Sequence, residues 1–266
     1  VAFAISDLDS VMVDFDASDI TSLSDGDDVT SWTDRSDNSV DLSAASGEEP
    51  VYRASAINSL PAVEFDGSVS RLTNGATQLP ISTTKNLACC LVTKADVEKT
   101  YNGWWILSSA LPATSINDDS CWSVASGLMY QYRLSQNVGA DIDPATAWCL
   151  ITFVRGKTLL HVAKDGAAIM TSVSAGQNFT TADRYLTVGM VGPATSYLDG
   201  RLAALVIFDE TEQAERMYIE GVLAHRYGIT LDSAHPFASA APTSGPGSGG
   251  GGGGGVKRRS NFRAGF

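Results

Sequence analysis

The sequence predicts an all-β, two-sheet antiparallel sandwich with one late helix and a flexible tail. Three observations carry this. Short apolar runs alternate with turn clusters along most of the 266 residues. One stretch near the C-terminal end, 211–227, has helical periodicity. After Phe237 the composition changes to alanine, serine, proline and then seven consecutive glycines, Gly249 to Gly255.

Residues 1–60 are rich in Ser, Asp and Thr. Apolar bursts such as VMVDF are separated by the turn clusters SDGDD and DRSDNS, which reads as short strands in long loops. From Pro61 the pattern sharpens: Val63 and Phe65 alternate with Glu64 and Asp66 before a turn at Gly67. NLACCLVTK, WWILSS and LMYQYRLS are further strands, rich in aromatic and branched residues. WCLITFVRGKTLLHVAKDGAAIM predicts a three-strand meander turning at Arg155-Gly156-Lys157 and at Lys164-Asp165-Gly166. YLTVGM and LDGRLAALVIFD add two more strands. In the helix, Ala214, Met217, Tyr218, Val222 and Leu223 share a face, with charge expected on the other. Thr211 or Asp209 is the expected N-cap and Gly228 the terminator. The early acids Glu210, Glu212 and Glu215 and the late basic pair His225 and Arg226 suit the helix dipole.

The chain has 30 acidic and 18 basic residues, a net charge of −12. Residues 241–266 contain no acid and four bases, so a body of −16 trails a +4 tail. Such a body repels nucleic acid and anionic membrane, and four tail charges make a weak, salt-sensitive nucleic-acid binder at best. No stretch approaches the roughly 18 apolar residues of a membrane span, and the N-terminal segment lacks the basic flank of a secretion signal. The chain reads as soluble. Cys89, Cys90, Cys121 and Cys149 lack zinc-ligand spacing and sit among apolar neighbours, as buried thiols do.

Two ends of the chain resemble a known family. The opening has Asp-Ala-Ser-Asp (16–19), a glycine turn, Ser31-Trp32-Thr33-Asp34, then Pro61-Ala62-Val63-Glu64-Phe65-Asp66-Gly67. The close has Tyr197-Leu198-Asp199-Gly200, a final strand, the helix segment Ile219–Gly228 and His235-Pro236-Phe237. Together these resemble the laminin-G-like branch of the concanavalin A-like lectin/glucanase superfamily. The resemblance implies a jelly-roll domain over 1–237, followed by a linker, 238–255, and a basic-aromatic docking tail, 256–266. It further implies a phage virion protein, a capsid decoration or tail-associated component, forming homo-oligomers. The alternatives are a carbohydrate-binding adhesion module on a virion or bacterial surface protein, and a glycoside hydrolase. Fold alone does not choose among such roles.

Glycosidases on this fold need two carboxylates flanking one bond. Glu64 and Asp66 come nearest, but they read as a solvated strand face and a turn residue, so the expectation is a chain that is not an enzyme. Asp25, Asp27, Asp28, Asp118 and Asp119 are calcium candidates, because calcium takes several converging loop oxygens, although such loops ordinarily just turn. No other cofactor is indicated. His161, His225 and His235 lie at no metal-ligand spacing and carry packing or hydrogen-bonding roles. Trp104, Trp105 and Trp122 are glycan-stacking candidates. Trp104 and Trp105 face opposite ways on a strand, so one of the two belongs to the core. In the tail, Lys257, Arg258, Arg259, Phe262, Arg263 and Phe266 are the docking candidates, with other virion proteins as partner and host glycans as a second. The 18-residue linker gives a reach of roughly 20–25 Å.

Overall fold

The computed structural model describes residues 4–75, 78–79, 86–97, 102–108, 119–123, 128–131, 136–141, 147–155, 160–172, 184–191, 196–210 and 212–246. In chain order the strands are β1 (Val11–Asp16), β2 (Ser31–Trp32), β3 (Leu42–Ser43), β4 (Val51–Ile57), β5 (Leu60–Asp66), β6 (Leu72–Thr73), β7 (Asn86–Ala95) and β8 (Asn102–Ser108). They continue with β9 (Asp119–Ser123), β10 (Leu128–Gln131), β11 (Gln136–Asp141), β12 (Cys149–Arg155), β13 (Leu160–Lys164), β14 (Ala167–Ser172), β15 (Tyr185–Val188) and β16 (Asp199–Glu210). The helix α1 spans Gln213–Tyr227.

Among the described residues these strands form two eight-stranded sheets, antiparallel throughout. One runs β14-β13-β12-β7-β16-β5-β4, with β1 also paired to β16; the other runs β11-β10-β9-β8-β15-β6-β3-β2. The long strand β16 organises the first sheet. Residues 200–210 pair with β7, with a register shift between Leu202 and Ala204, while the other edge serves β5 at residues 199–202 and β1 at 204–208. The two-sheet sandwich expected from the sequence is thus present.

Two apolar layers hold it together. The inner layer lies between the sheets and contains Phe15, Trp32, Phe65, Trp104, Leu186 and Leu205, with the Phe15 and Trp32 ring centroids 5.6 Å apart. The outer layer lies between the first sheet and α1 and contains Phe208, Tyr218, Ile219, Leu223 and Tyr227. Period-two alternation therefore sends Cys89 inward and Cys90 outward, and both are buried free thiols, as is Cys149. The second cover explains why β1 and β12 are buried at every residue: a strand covered on both faces has no solvent side to fill with polar residues.

The meander forms in the expected order, β12 to β13 to β14, and Asp165 and Gly166 turn the second hairpin with φ of 52° and 79°. Gly156 and Lys157 of the first turn lie outside the described residues, as does Thr211. The helix departs from expectation in two ways. Its N-cap is Glu212, without a side-chain cap bond, because Asp209 and Glu210 still belong to β16. Its buried stripe is Glu215, Arg216, Tyr218, Ile219, Glu220, Leu223, Ala224 and Tyr227, whereas Ala214 is exposed and Met217 and Val222 are half-buried. Ser10, Glu210 at the end of β16 and His235 supply partners for those charges, so they need not face water. Gly228 ends the helix at φ 67°, and Asn58, whose Nδ2 donates to the Tyr227 carbonyl at 2.5 Å, occupies the space a Cβ there would need.

Candidate functional site

The acidic loop that suggested calcium guards a strand edge. Gly26 N–H donates to the Tyr52 carbonyl (2.9 Å), Tyr52 N–H to the Asp27 carbonyl (2.8 Å) and Val29 N–H to the Pro50 carbonyl (2.7 Å). The Asp25 carboxylate accepts from Ala54 N–H at 3.0 Å, and that of Asp27 from Ser24 N–H at 2.7 Å. Asp28 bridges to Val51. This loop covers the outer edge of β4, which would otherwise present unpaired backbone groups. Among the described residues no group of three or more His, Cys, Asp or Glu side chains is arranged to hold a metal ion. Asp118 lies outside the described residues, and Asp119 begins β9 opposite Leu107.

Trp104 is fully buried in the inner layer and presents no stacking face, which corrects its candidacy. Backbone register sets Trp105 of β8 opposite Cys121 and Val188, and Trp122 of β9 opposite Gly103 and Tyr130. Lys257, Arg258, Arg259, Phe262, Arg263 and Phe266 lie outside the described residues. Glu64 is held between Arg53 Nη2 and Arg201 Nε, both at 2.6 Å, and the Arg53 bond foremost keeps its carboxyl below the usual range. Against burial, which pushes it up, Asp66 is held low by Ser68, Ser70 and Val69, whose hydroxyls and amides close the turn.

Two polar clusters that the sequence did not single out lie in the outer layer. The first joins the beginning of the folded body to its end. Asp14 and Asp16 project from β1 toward α1; Arg35 Nη2 meets Asp14 at 2.6 Å and its Nη1 meets Asp16 at 3.3 Å, while Arg226 Nε reaches Asp16 at 2.8 Å. Burial outweighs Arg35 and raises the Asp14 carboxyl above its ordinary range. Burial, then the nearby Asp16, pushes the Tyr227 phenol far up, and its hydroxyl donates to the Ala203 carbonyl at 3.0 Å. Trp32 Nε1 donates to the Asp16 carbonyl.

Asp34 completes this clamp. Its carboxylate accepts from the amides of Asp14 (2.8 Å), Ser36 (2.9 Å) and Val40 (3.0 Å) and from the Ser36 hydroxyl (2.6 Å). Ser36 and Asn38 in turn donate to the carbonyls of Met12 and Val11. The DRSDNS cluster, read as a turn, is therefore a cover for the free edge of β1.

The second cluster lies under the first half of α1. Arg216 Nη1 meets Glu210 at 3.1 Å and its Nε lies 3.8 Å from Glu220, which accepts from His235 Nε2 at 3.0 Å. His161 Nδ1 pairs with the Thr171 hydroxyl at 3.0 Å. Burial first, then Arg216, depresses the His161 imidazole; burial raises the Glu210 carboxyl against Arg216. Ser10 donates to Glu215 at the same interface. All of these carboxylates are paired, so the clusters bind elements of the body to one another. The signals for them were an Asp-x-Asp in an otherwise apolar strand and the i, i+4 pair Arg216 and Glu220.

No family model and no curated protein matches the chain. Solved structures do. A Trypanosoma rangeli sialidase in complex with 2,3-difluorosialic acid is 11% identical with a TM-score of 0.49, covering 75% of this chain and 31% of its own. Domain 4 of a GH43 extracellular arabinanase from Geobacillus stearothermophilus, in complex with arabinotriose, is 14% identical with a TM-score of 0.47, over 75% and 92%. The CBM40 of a Ruminococcus gnavus IT-sialidase, bound to alpha2,3 sialyllactose, is 8% identical with a TM-score of 0.45, over 57% and 91%. The chain thus spans about a third of the sialidase's length. These proteins are carbohydrate-active enzymes or parts of them. The expectation of a chain that is not an enzyme is withdrawn on this finding, because the structures it matches include glycoside hydrolases.

Proposed function

We propose that this chain is a tethered display module: a jelly-roll body carried on a phage particle as a capsid decoration or tail-associated component, and attached partly through its C-terminal tail. The observation that carries the reading is the way the body ends. The chain after α1 packs back onto the outer layer as far as Ala238, where Phe237 and Ala238 rest against it. The sequence then continues into seven glycines and a tail with four bases, two phenylalanines and no acid. An acidic body followed by a glycine-rich sequence and a short basic-aromatic one has the composition of a tether with a docking end. The motif resemblance at both ends of the body supports the particle setting.

The test is incorporation. Full-length chain and a version ending at Pro246 are offered to particles lacking the native protein. The reading expects the full chain to bind and the shortened one to lose most of its occupancy; equal binding would sink it. Captured copies are expected to be homo-oligomeric by mass.

The second reading is carbohydrate recognition. It is favoured by the register that sets Trp122 opposite Tyr130 on neighbouring strands, two residues whose rings stack well on sugars. A glycan array with and without calcium tests it: binding that Trp122→Ala reduces at least tenfold supports it, and silence across host-surface polysaccharides removes it. Release of reducing ends on the same array would place the chain with the hydrolases.

A further inference from the structure

The exit of the chain from the body is built around one imidazole. After Gly228, Ile229 N–H donates to the Ala224 carbonyl, and Asp232 N–H donates to the Asp165 carbonyl in the β13–β14 turn, both at 2.8 Å. His235 N–H then donates to the Asp232 carbonyl and Ala238 N–H to that of His235. His235 is 6% exposed, its ring wedged between that turn and α1. Both seats require glycine: a Cβ on Gly166 would lie 2.9 Å from the His235 ring, and one on Gly221 would lie 2.8 Å from the Phe237 ring.

The bonds to this ring fix its proton. Phe237 N–H donates to His235 Nδ1 at 3.2 Å, and an amide can only donate, so Nδ1 is the bare acceptor. Nε2 then carries the hydrogen and gives it to Glu220 Oε2 at 3.0 Å. A second proton can enter only at Nδ1, where it would confront the Phe237 amide. The ring can keep one bond or the other.

The surrounding charges decide which. Glu220 and Glu210 face one guanidinium, Arg216, so a cationic ring finds a carboxylate still in need of balance. His161, on β13, lies close enough to feel both Arg216 and Glu220. The remaining acids are turned away: Asp165 accepts from Leu150 N–H and Asp232 from Ala234 N–H. His225 Nε2 meets the Phe237 carbonyl at 2.7 Å and donates there whether or not its ring is charged.

We propose that His235 is a proton-operated latch on the chain's exit. Neutral, it pins Phe237 and so fixes where the tail leaves the body. Protonated, it stays on Glu220 and releases the Phe237 amide, which frees the residues ahead of the glycine tract. This goes beyond the docking role of the tail and is independent of it, since the latch is a property of the body alone.

Amide exchange by NMR on the full chain tests it, between pH 8 and pH 5, the span in which histidine ordinarily titrates. After correction for intrinsic rates, Phe237 protection is expected to fall about tenfold at pH 5, the size of one lost hydrogen bond, while Leu223 and Ala224 in the helix hold theirs. His235→Asn keeps an acceptor near the Nδ1 position, so Phe237 is expected to stay protected at both pH values. His235→Gln keeps a donor near Nε2 and no such acceptor, so Phe237 is expected to be unprotected at both. His225→Gln should leave the pH dependence as it is in the native chain. Equal Phe237 protection at pH 5 and pH 8 in the native chain overturns the proposal, as does a pH dependence that survives in either His235 variant or disappears with His225→Gln. The native titration decides even where a His235 variant does not fold.

Discussion

The two sides of the first sheet are covered by different means. Its inner side packs on the second sheet through side chains such as Phe15, Phe65, Trp32 and Trp104. Its outer side is covered by α1 and the segment after it, where apolar contacts through Tyr218, Ile219 and Leu223 are interleaved with Asp14, Asp16, Glu210, Arg216, Glu220 and His235. The inner layer is held by area removed from water, which is strong and undirected. The outer layer also contains directed pairs, which set how the helix and the chain ends sit on the sheet. Such pairs contribute less to net stability than apolar packing but penalise a wrong arrangement heavily, because a buried charge without its partner is costly.

Emptying the inner layer should have the largest effect. Trp104→Ala is expected to cost about 3–5 kcal/mol in urea unfolding, and Leu223→Ala in the outer layer about 2–4 kcal/mol, since the covering helix can settle into the gap more easily than two sheets can. Equal costs would mean that the layers are equally rigid.

Next comes the cover on β1. Asp34→Ala removes an acceptor used by three amides and a hydroxyl and should cost about 2–3 kcal/mol. It should also raise the tendency to self-associate, measured by light scattering, as the strand edge opens. A stability loss without association would show that a neighbouring segment still covers the edge.

A smaller effect separates the layers by pH. His161 has its folded-state imidazole depressed below the ordinary value of 6.5, so the unfolded chain takes up a proton first as pH falls. Its stabilising contribution is complete above pH 6.5 and is lost as pH drops from there toward the depressed folded value. Between pH 7 and pH 5 the native chain should therefore lose more Tm, or gain less, than His161→Gln does. Glu64 and Asp66, both held low in the fold, lose their contributions only below the ordinary carboxylate range, which keeps the two effects apart. The smallest change is expected from Glu64→Gln. Its ion pairs with Arg53 and Arg201 are partly exposed, so it should cost about 0.2–1 kcal/mol in the same unfolding assay.

This contrast also explains what the sequence made legible. The inner layer follows from alternation: Val63 and Phe65 point inward, and Cys89 and Cys90 divide between the layers, as period two requires. The meander and the helix terminator at Gly228 were local signals and were readable for that reason. The outer clamp was not. Asp16 and Arg226 stand 210 positions apart, and nothing in either neighbourhood announces the other. The helix was expected to send its charges to water, yet Glu215, Arg216 and Glu220 are buried because they meet Ser10 before β1, Glu210 at the end of β16 and His235 of the returning chain. The acidic loop at 25–28 read as a calcium candidate, and its contacts with β4 were not legible, since its composition specifies turning and accepting without specifying for whom. The segments around Asp16, Trp32, Asp34, Arg226 and His235 tie the ends of the body together. They speak to fold more than to activity for that reason.

The most direct test of this clamp is a double-mutant cycle on Asp16→Asn and Arg226→Gln, measured by equilibrium unfolding. If β1 and α1 are locked through this pair, the two changes should be non-additive by about 1–2 kcal/mol, the double variant being more stable than the sum of the single losses predicts. Additive effects would contradict the account, and would mean that this pair does not lock β1 to α1.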